Sequence, residues 1–223
     1  MQFCYASEIR SRFPQLRSHT LLVDGVSAKA DPSAEIARLS AIADKRLAAT
    51  SEGEFLEIQA WRRAFAAMGL KPTQYRCASE ALLRRYRKEG ALPALHPLID
   101  LCNATSLAFA IPVAVFDTSK IAGVLTVRLA HGDEIYETFG GEIEHPEPGE
   151  VIFADDSGRA HARRWTNRQS GWSAVRPETT QALIVTEAVH ETADNDVSAL
   201  MSSLAGALAA IWPAAAVTGM EPL

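Results

Sequence analysis

The chain has 223 residues, of which 48% are hydrophobic and 22% are charged, and its formal net charge at pH 7 is −5. This length and composition fit one globular domain with an adequate core, and they exclude a disordered or low-complexity chain. The acidic balance argues against a protein that binds DNA without sequence preference, because such proteins carry a basic surface.

The cysteines and the N-terminal residues point to a reducing compartment. Cys4, Cys77 and Cys102 are widely spaced and odd in number, so they predict neither a disulfide framework nor a metal knuckle. Charges within the first ten residues leave no apolar core of signal length, and no stretch reaches the ~18 apolar residues of a membrane span. We therefore expect a cytoplasmic protein with no membrane partner.

The first half of the chain is predicted to be helical after one short strand. A strand is predicted over His19–Val23, followed by a turn at Asp24-Gly25. Pro32 and Ser33 then begin a helix that extends towards Ala49. Further helices are predicted over 55–68, 78–88 and 99–110, the last of which ends before Pro112.

The second half of the chain changes to short β-prone runs separated by turn residues. These runs cover 113–116, 123–129, 134–138, 151–154, 161–165 and 182–189. A final helix is predicted to begin at Asp194 or Asn195 and to end near Ile211, before Pro213. The fold class predicted is α+β, with a helical N-terminal half packed on a β-rich C-terminal half. Residues 1–55 are assigned to a strand–helix extension integral to the domain, 56–212 to the main domain and 213–223 to a tail.

Charge is distributed unevenly along the chain. Residues 58–90 contain eight Lys or Arg and two Glu, and residues 159–176 contain five Arg and no acid, whereas residues 131–156 contain nine acids and no Lys or Arg. One interpretation is that these charges cover solvated helix faces and hairpin loops. The other is that the two arginine-rich segments fold together into a phosphate-binding surface, because the guanidinium fork suits phosphate oxygens.

Most familiar active-site motifs are missing from the sequence. Gly140-Gly141 lacks the lysine and the helix of a phosphate-binding loop, and there is no Gly-x-Ser-x-Gly motif. The six histidines do not occur at metal-ligand spacing with one another or with cysteine. We expect no metal and no cofactor.

Two polar positions stand out in apolar surroundings. Asp100 and Asn103 are three residues apart, so they share one face of a predicted helix whose other faces are apolar. They bind either each other and nearby backbone, or a ligand. Asp117 follows a predicted strand, where it either caps the next turn or contributes a carboxylate to a site.

A third stretch, residues 163–170, concentrates groups that can bind a nucleotide. It contains Arg163, Arg164, Asn167, Arg168, Gln169 and Ser170, with Trp165 among them. Arginine can hold phosphate, and amide and aromatic groups can hold a base or a sugar. This composition favours a ligand site over an ordinary solvated strand.

The order of these stretches resembles the tRNA-binding B3/B4 domain, the editing module of the beta subunit of bacterial phenylalanyl-tRNA synthetase, which also occurs as freestanding proteins. The resemblance extends from about Trp61 to His190, and the freestanding branch is the more similar one. The segments that carry it are 69–72, 79–85, 98–103, 112–117, 123–134, 148–155 and 178–180.

The resemblance implies a B3/B4-like fold and a domain that meets the aminoacylated 3′ end of tRNA, not DNA. It implies ester hydrolysis of mischarged tRNA in trans, a role in translation fidelity.

The sequence departs from the synthetase pattern at two places. Ala114 stands where the synthetase pattern Pro-x-His-Ala-Phe-Asp has its pocket histidine, and Gly171, Trp172 and Ser173 stand where it has Gly-Gly-Glu. A non-catalytic module that binds tRNA or an amino acid, and a small-molecule esterase, therefore remain as alternatives.

The polar stretches and the resemblance together assign the site residues. Asn103, Gln169 and Ser170 are expected to orient the attacking water or hold the ester carbonyl. Asp100 or Asp117 is expected to bind the α-ammonium group of the substrate, with Asn167 and Arg168 as further substrate contacts. The tRNA backbone is assigned to arginines of the two basic segments, namely Arg76, Arg84, Arg85, Arg163 and Arg164.

Overall fold

The computed structural model describes residues 1–220, which form six helices and eleven strands. The helices are α1 Ser7–Arg12, α2 Ser33–Ala49, α3 Leu56–Ala67, α4 Ala78–Glu89, α5 Pro97–Phe109 and α6 Ala193–Ile211. The strands are β1 Gln2–Tyr5, β2 Arg17–Asp24, β3 Val113–Asp117, β4 Val124–Leu129, β5 Tyr136–Glu137, β6 Ile143–Glu144, β7 Val151–Ala154, β8 Ala160–Arg163, β9 Arg168–Gln169, β10 Gln181–Ala188 and β11 Ala216–Met220. The predicted α+β class is confirmed.

Two sheets carry most of the strands. The five-stranded sheet has the order β1-β4-β7-β8-β9, and the four-stranded sheet has the order β11-β2-β10-β3. The β1–β4 pair is parallel, and the other pairs in both sheets are antiparallel. Strands β5 and β6 form a separate hairpin. The central strand β10 is buried almost throughout, as expected for a strand covered on both faces.

The two faces of β10 contribute to two different cores because side chains alternate along a strand. Leu183 and Val185 pack into a core shared with Phe153 and Ala162 of the five-stranded sheet. Ala182 and Ile184 pack into a second core formed with helices α2, α5 and α6. The four-stranded sheet therefore lies between the five-stranded sheet and a layer of helices.

Local sequence signals define where the helices around this sheet begin and end. His96 precedes α5 and its Nδ1 accepts a hydrogen bond from the Leu98 N–H at 3.2 Å, with Pro97 at the first helical position. Helix α4 ends at Gly90, which adopts φ +76° and donates its N–H to the Tyr86 carbonyl at 2.8 Å. These signals set where α4 ends and where α5 begins.

Both ends of the described chain add strands to the sheets. Residues 2–5 form β1, which the sequence did not predict, beside β4. The segment from 213 onward was expected to be a tail, but Ala216–Met220 pairs with β2 as an edge strand. The open edge of β2 accounts for this pairing, since unpaired backbone groups at a sheet edge accept another strand. Residues 221–223 of the expected tail lie outside the described residues.

Two predicted strands are shorter in the structure than in the sequence analysis. The run predicted over 134–138 is a strand only at Tyr136–Glu137. The run predicted over 161–165 ends at Arg163, because Arg164 and Trp165 adopt φ of +48° and +57°. Left-handed backbone cannot continue a strand, so the chain reverses there.

None of the helices in residues 1–220 is long and apolar enough to cross a membrane. The three cysteines, all within this range, are free thiols. Burial raises the pKa of Cys77 to about 11, which leaves its thiol protonated at neutral pH.

A pair of glycine substitutions tests the packing between the β9–β10 connection and the β5–β6 hairpin. A Cβ added at Gly171 would lie 2.6 Å from the Thr138 carbonyl oxygen, so Gly171→Ala is expected to destabilise the protein by about 1–3 kcal/mol. Gly206 lies within α6 and a Cβ there meets open space, so Gly206→Ala is expected to stabilise by about 0.5–1 kcal/mol. Urea denaturation of both variants measures the difference, and equal stabilities would contradict this packing.

Candidate functional site

A small polar cavity lies where the two sheets face each other. We call it the inter-sheet cavity, and its volume is about 60 Å³. Pro112, Val113 and Ala114 form one wall at the start of β3, and Phe153 and Ala162 form the wall on the five-stranded sheet. Five polar side chains also line it, namely Thr166, Asn167, Arg168, Gln169 and Glu187.

The turn between β8 and β9 brings four of these polar side chains to the cavity. It contains Arg164 and Trp165, two consecutive non-glycine residues with positive φ, a conformation that costs free energy unless surrounding contacts enforce it. Here the Trp165 N–H donates to the Val151 carbonyl at 2.7 Å, and the Arg164 N–H donates to Glu150 at 2.9 Å. The Trp165 ring packs edge-on against Phe13 and Trp61. Backbone hydrogen bonds and the packing of the Trp165 ring therefore both hold the strained turn in this conformation.

The two amide side chains at the cavity direct their nitrogens away to backbone carbonyls. Asn167 Nδ2 donates to the Arg76 carbonyl at 2.7 Å, and Gln169 Nε2 donates to the Val115 carbonyl. Each amide can therefore still offer a ligand its oxygen, which is a hydrogen-bond acceptor, together with the second N–H of its nitrogen.

The two arginine-rich segments of the sequence meet at this turn. The Ala78 N–H donates to the Thr166 carbonyl at 2.8 Å, and the Arg164 guanidinium stacks on the Tyr75 ring, 4.8 Å from its centroid. Arg76, Arg164 and Arg168 therefore lie in or beside the segments that border the inter-sheet cavity. Of the tRNA-binding arginines predicted from the sequence, Arg76 and Arg164 are brought together in this way.

The other predicted tRNA-binding arginines are held elsewhere by acids. Arg163 is buried and bonds Glu144 at 2.6 Å and Glu150 at 2.9 Å, so it is a structural ion pair within the protein. Arg84 pairs with Glu52, and Arg85 pairs with Glu89 on the exposed face of α4. Arg168 pairs with Glu144 at 3.0 Å but keeps 40% of its side chain exposed.

Asp100 and Asn103 line a different cavity from Gln169. This α2–α5 cavity has a volume of about 380 Å³ and is bounded by α2, α5 and residues 90–94. Asp100 accepts the Leu95 N–H at 2.9 Å, which ties down the loop before α5. The single site expected from the sequence is therefore divided between two cavities that share no lining residue.

Asp117 and Ser170 are committed to hydrogen bonds within the fold. Asp117 is buried and accepts hydrogen bonds from the Ser119 N–H at 2.9 Å and from the Thr179 hydroxyl at 2.7 Å. The turn-capping alternative for Asp117 matches this geometry. Ser170 is also buried, donating to the Glu137 carbonyl at 2.8 Å and accepting the Trp172 N–H at 3.1 Å. Neither residue lines the inter-sheet cavity.

The sequence analysis missed Glu187, a buried carboxyl at the cavity. Tyr5 and the Trp165 indole each donate a hydrogen bond to Glu187 Oε1 at 2.8 Å. Burial raises the pKa of Glu187 to about 7, and the two hydrogen bonds offset only part of that effect. A signal was available in the sequence, since Glu187 is the one charged residue in the β-prone run 182–189.

A serine, a histidine and an aspartate also meet inside the protein, but away from any cavity. Ser173 Oγ lies 2.8 Å from His161 Nδ1, and His161 Nε2 lies 3.2 Å from Asp155 Oδ2. Burial acts to raise the pKa of Asp155, but hydrogen bonds from His161, Ser157 and backbone N–H groups hold it well below its usual range. All three side chains are buried, so a substrate cannot reach the serine.

One group in residues 1–220 has the spacing of a metal site. Ligand atoms of His131, Asp133 and Glu134 lie within 4.8 Å of one another. The Glu134 carboxylate already accepts the His131 and Gly132 N–H groups and an Arg128 hydrogen bond. These bonds outweigh burial, which acts in the opposite direction, and lower the pKa of Glu134 to about 2. The hydrogen bonds of Glu134 therefore fit a role in holding this loop together better than a role in binding a metal.

The fold and the cavity define a mixed α+β domain with a small cavity between two sheets that polar side chains help to line. The sequence matches the B3/4 domain over residues 60–202, more than half of the chain. The chain therefore belongs to the B3/4 domain family.

Proteins similar to this chain include phenylalanine–tRNA ligase beta subunits. The Nitrobacter winogradskyi subunit is 34% identical over 79 residues, 35% of this chain and 10% of that protein. The Cereibacter sphaeroides subunit is 28% identical over 93 residues, 42% of this chain and 11% of that protein. The Shewanella oneidensis subunit is 26% identical over 117 residues, 52% of this chain and 14% of that protein. The chain thus spans about a tenth to a seventh of the length of these relatives.

A solved structure supports the fold over nearly the whole chain. An N-terminal fragment of the phenylalanyl-tRNA synthetase beta subunit from Pyrococcus horikoshii superposes with a TM-score of 0.52 at 11% sequence identity. The match covers 97% of this chain and 50% of the fragment.

Proposed function

We propose that the inter-sheet cavity binds the aminoacylated 3′ end of tRNA and that the domain hydrolyses the ester there. The observation that carries this proposal is the convergence of Asn167, Arg168, Gln169 and Glu187 on one cavity, at the place where the two arginine-rich segments meet. The relatives are subunits of a ligase that acts on tRNA, which supports this class of substrate.

The rim of the cavity suits the phosphates of a tRNA end. Arg168 pairs with Glu144 but is partly exposed, and Arg164 lies on the same turn, so phosphate oxygens can approach this pair of guanidinium groups, in competition with Glu144 at Arg168. Four of the nine acids of residues 131–156 pair with arginines within the fold, as Glu144 and Glu150 do with Arg163. A local basic rim on an acidic protein favours a specific contact over general binding to polyanions.

The reaction needs few catalytic side chains because an aminoacyl ester is already reactive. Water attacks the acyl carbon, the bond from that carbon to the ribose oxygen breaks, and a proton passes to the leaving ribose oxygen. The acceptor oxygens of Asn167 and Gln169 can receive the hydrogens of the attacking water and fix its position. This assignment replaces the roles expected for Asn103 and Ser170 with residues of one cavity.

A deacylation screen tests the proposal. Purified protein is mixed with a panel of tRNAs, each charged with a correct or an incorrect amino acid, and ester hydrolysis is followed over time. Hydrolysis of at least one member faster than in buffer is the expected result. Asn167→Ala should lower that rate by about tenfold or more, whereas Asn195→Ala, on the exposed first turn of α6, should not. No release above buffer for any member would overturn the deacylase proposal.

Removal of the rim arginine should weaken tRNA binding in a salt-dependent way. Arg168→Ala is expected to reduce tRNA affinity and to lower the slope of log K against log salt by about 1, because one phosphate contact is lost. Arg38→Ala is the matched control, since Arg38 is exposed to a similar degree and paired with Glu35. Filter binding at several salt concentrations measures both, and equal slopes for the two variants would remove Arg168 from the interface.

A second candidate function is binding without hydrolysis. Ala114 offers no base where the synthetase pattern has histidine, and the Ser170 hydroxyl is already bonded on both sides. Both observations favour a module that holds the aminoacyl end. Tight binding of charged tRNA in the screen above, without ester release, is the result that distinguishes this candidate.

A further inference from the structure

Glu187 faces the inter-sheet cavity because of its position in β10. Side chains alternate along a strand, so Glu187 shares a face with Leu183 and Val185, which pack towards the five-stranded sheet. It is 2% exposed and lines the cavity beside Val185. An acid at this position costs free energy of burial, which an alternative apolar residue would avoid.

The protein supplies Glu187 with two hydrogen-bond donors but with no cation within ion-pair distance. Tyr5 and Trp165 both donate to Oε1, so neither of them serves Oε2. Within residues 1–220, no Lys, Arg or His nitrogen lies within 4.0 Å of this carboxylate. A buried acid is normally paired, so the missing partner points to a cationic or donor group on a ligand.

The other polar groups of the cavity agree with such a ligand. The oxygens of Asn167 and Gln169 can accept hydrogen bonds from a ligand, since the hydrogen bonds of these side chains to the backbone are made by their nitrogens. An ammonium group has three N–H donors and no acceptor, and the Glu187 carboxylate supplies its counter-charge. Each amide oxygen has two lone pairs, so it can accept from an ammonium N–H as well as from the attacking water.

From this arrangement we infer that Glu187 binds the α-ammonium group of an aminoacyl ester and that the cavity admits only a small amino-acid side chain. The inference rests on the proposed function for the identity of the ester. It assigns the ammonium to Glu187 instead of Asp100 or Asp117, which lie outside the cavity.

The size of the cavity sets the limit on the side chain. Its volume of about 60 Å³ is well below the ~150 Å³ of an apolar cavity that accepts benzene. A phenyl or phenol ring therefore does not fit without moving the Trp165 turn, which is locked on both sides. The side chains that fit the cavity are those of alanine and of residues of similar size.

Binding of a non-hydrolysable analogue tests the inference independently of catalysis. The probes are 3′-alanylamino-3′-deoxyadenosine, in which an amide replaces the ester, its N-acetyl derivative, and the phenylalanyl counterpart. Isothermal titration calorimetry is expected to show that the alanyl probe binds about tenfold or more tighter than either of the others. The N-acetyl probe loses the charged hydrogen bond, and the side chain of the phenylalanyl probe is too large for the cavity.

The variant Glu187→Gln separates recognition from packing. Its amide oxygen can still accept the Tyr5 and Trp165 hydrogen bonds, but its amide group faces the ligand with a donor. We expect the preference for the free amine over the N-acetyl probe to fall by about tenfold, while Glu178→Gln on an exposed loop leaves it unchanged. A merely structural role would weaken both probes alike and leave the preference unaltered.

The outcomes for the two proposals can be told apart. Equal affinity for the free and acetylated probes, or tighter binding of the phenylalanyl probe, overturns the inference even if the deacylation screen succeeds. A preference for the alanyl probe that disappears in Glu187→Gln supports it even if no tRNA ester is hydrolysed. Absence of binding by all three probes overturns it as well.

Discussion

Glu187→Gln is expected to raise the free energy of unfolding by about 3 kcal/mol at pH 8 and by only about 1 kcal/mol at pH 5. Glu187 is fully buried, and its pKa is raised to about 7 in the folded protein by desolvation, against an ordinary value of 4.5. Between these two values the folded state holds a proton that the unfolded chain has released. The free energy of unfolding of the wild-type protein therefore decreases as pH rises through this window. A neutral glutamine at position 187 removes this decrease.

Comparing the variant with the wild type isolates Glu187 from the other titrating groups. Arg10, whose positive charge acts to lower the pKa of Glu187, is present in both proteins, and Tyr5 stays neutral because its own pKa is raised well above 10. The lowered pKa values of Glu134 and Asp155 affect stability only at more acidic pH, where protonation removes their hydrogen bonds. Urea denaturation at pH 5 to 8 measures the difference. If the difference in free energy of unfolding between the variant and the wild type stays constant over this range, the result would contradict a buried, unpaired carboxyl.

Trp165→Ala is expected to reduce the free energy of unfolding by about 3–5 kcal/mol. The indole is completely buried, its ring centroid lies 4.8 Å from that of Phe13 and 5.0 Å from that of Trp61, and its N–H binds Glu187. Alanine would leave a cavity and take one donor from the buried carboxyl. It would also release the left-handed turn that carries Asn167 to the cavity, so ligand binding should be lost together with stability.

Two further substitutions separate these contributions. Trp165→Phe keeps most of the packing and removes only the N–H, so we expect it to cost about 1–3 kcal/mol, less than alanine. Trp172→Ala removes a partly exposed indole that stacks on Arg159, and a loss of about 1 kcal/mol is expected. Thermal and urea denaturation rank the three variants. A Trp165→Ala protein as stable as Trp172→Ala would show that the turn is not a structural anchor.

Helices α2 to α6 and the central strands were predictable because their signals are local, whereas the short helix α1 was not predicted. Pro and Gly residues mark helix ends at Pro97 and Gly90, and the apolar run of β10 identifies a strand buried on both faces. Strand β1 and the edge strand β11 were not predicted, since each is short and is defined by its partner, β4 or β2, far away in sequence. Pairing with a distant strand leaves little trace in the local pattern.

The candidate site was predicted only in part, for the same reason. The segment containing Asn167, Arg168 and Gln169 was identified from its composition, and it does line a cavity. Asn103 was grouped with these residues, yet its helix carries it to the α2–α5 cavity. The left-handed turn at Arg164 and Trp165 and the hydrogen bonds to Glu187 depend on tertiary contacts, which neither periodicity nor charge counts contain.

The central claim is that the aminoacyl end of tRNA occupies the inter-sheet cavity. A crystal structure of the protein with 3′-alanylamino-3′-deoxyadenosine tests this claim most directly. We predict that the alanyl group lies between β3 and β10, with its ammonium nitrogen within about 3.2 Å of Glu187 and the adenosine towards Arg168. A ligand seated instead in the α2–α5 cavity beside Asn103 and Asp100 would contradict the account.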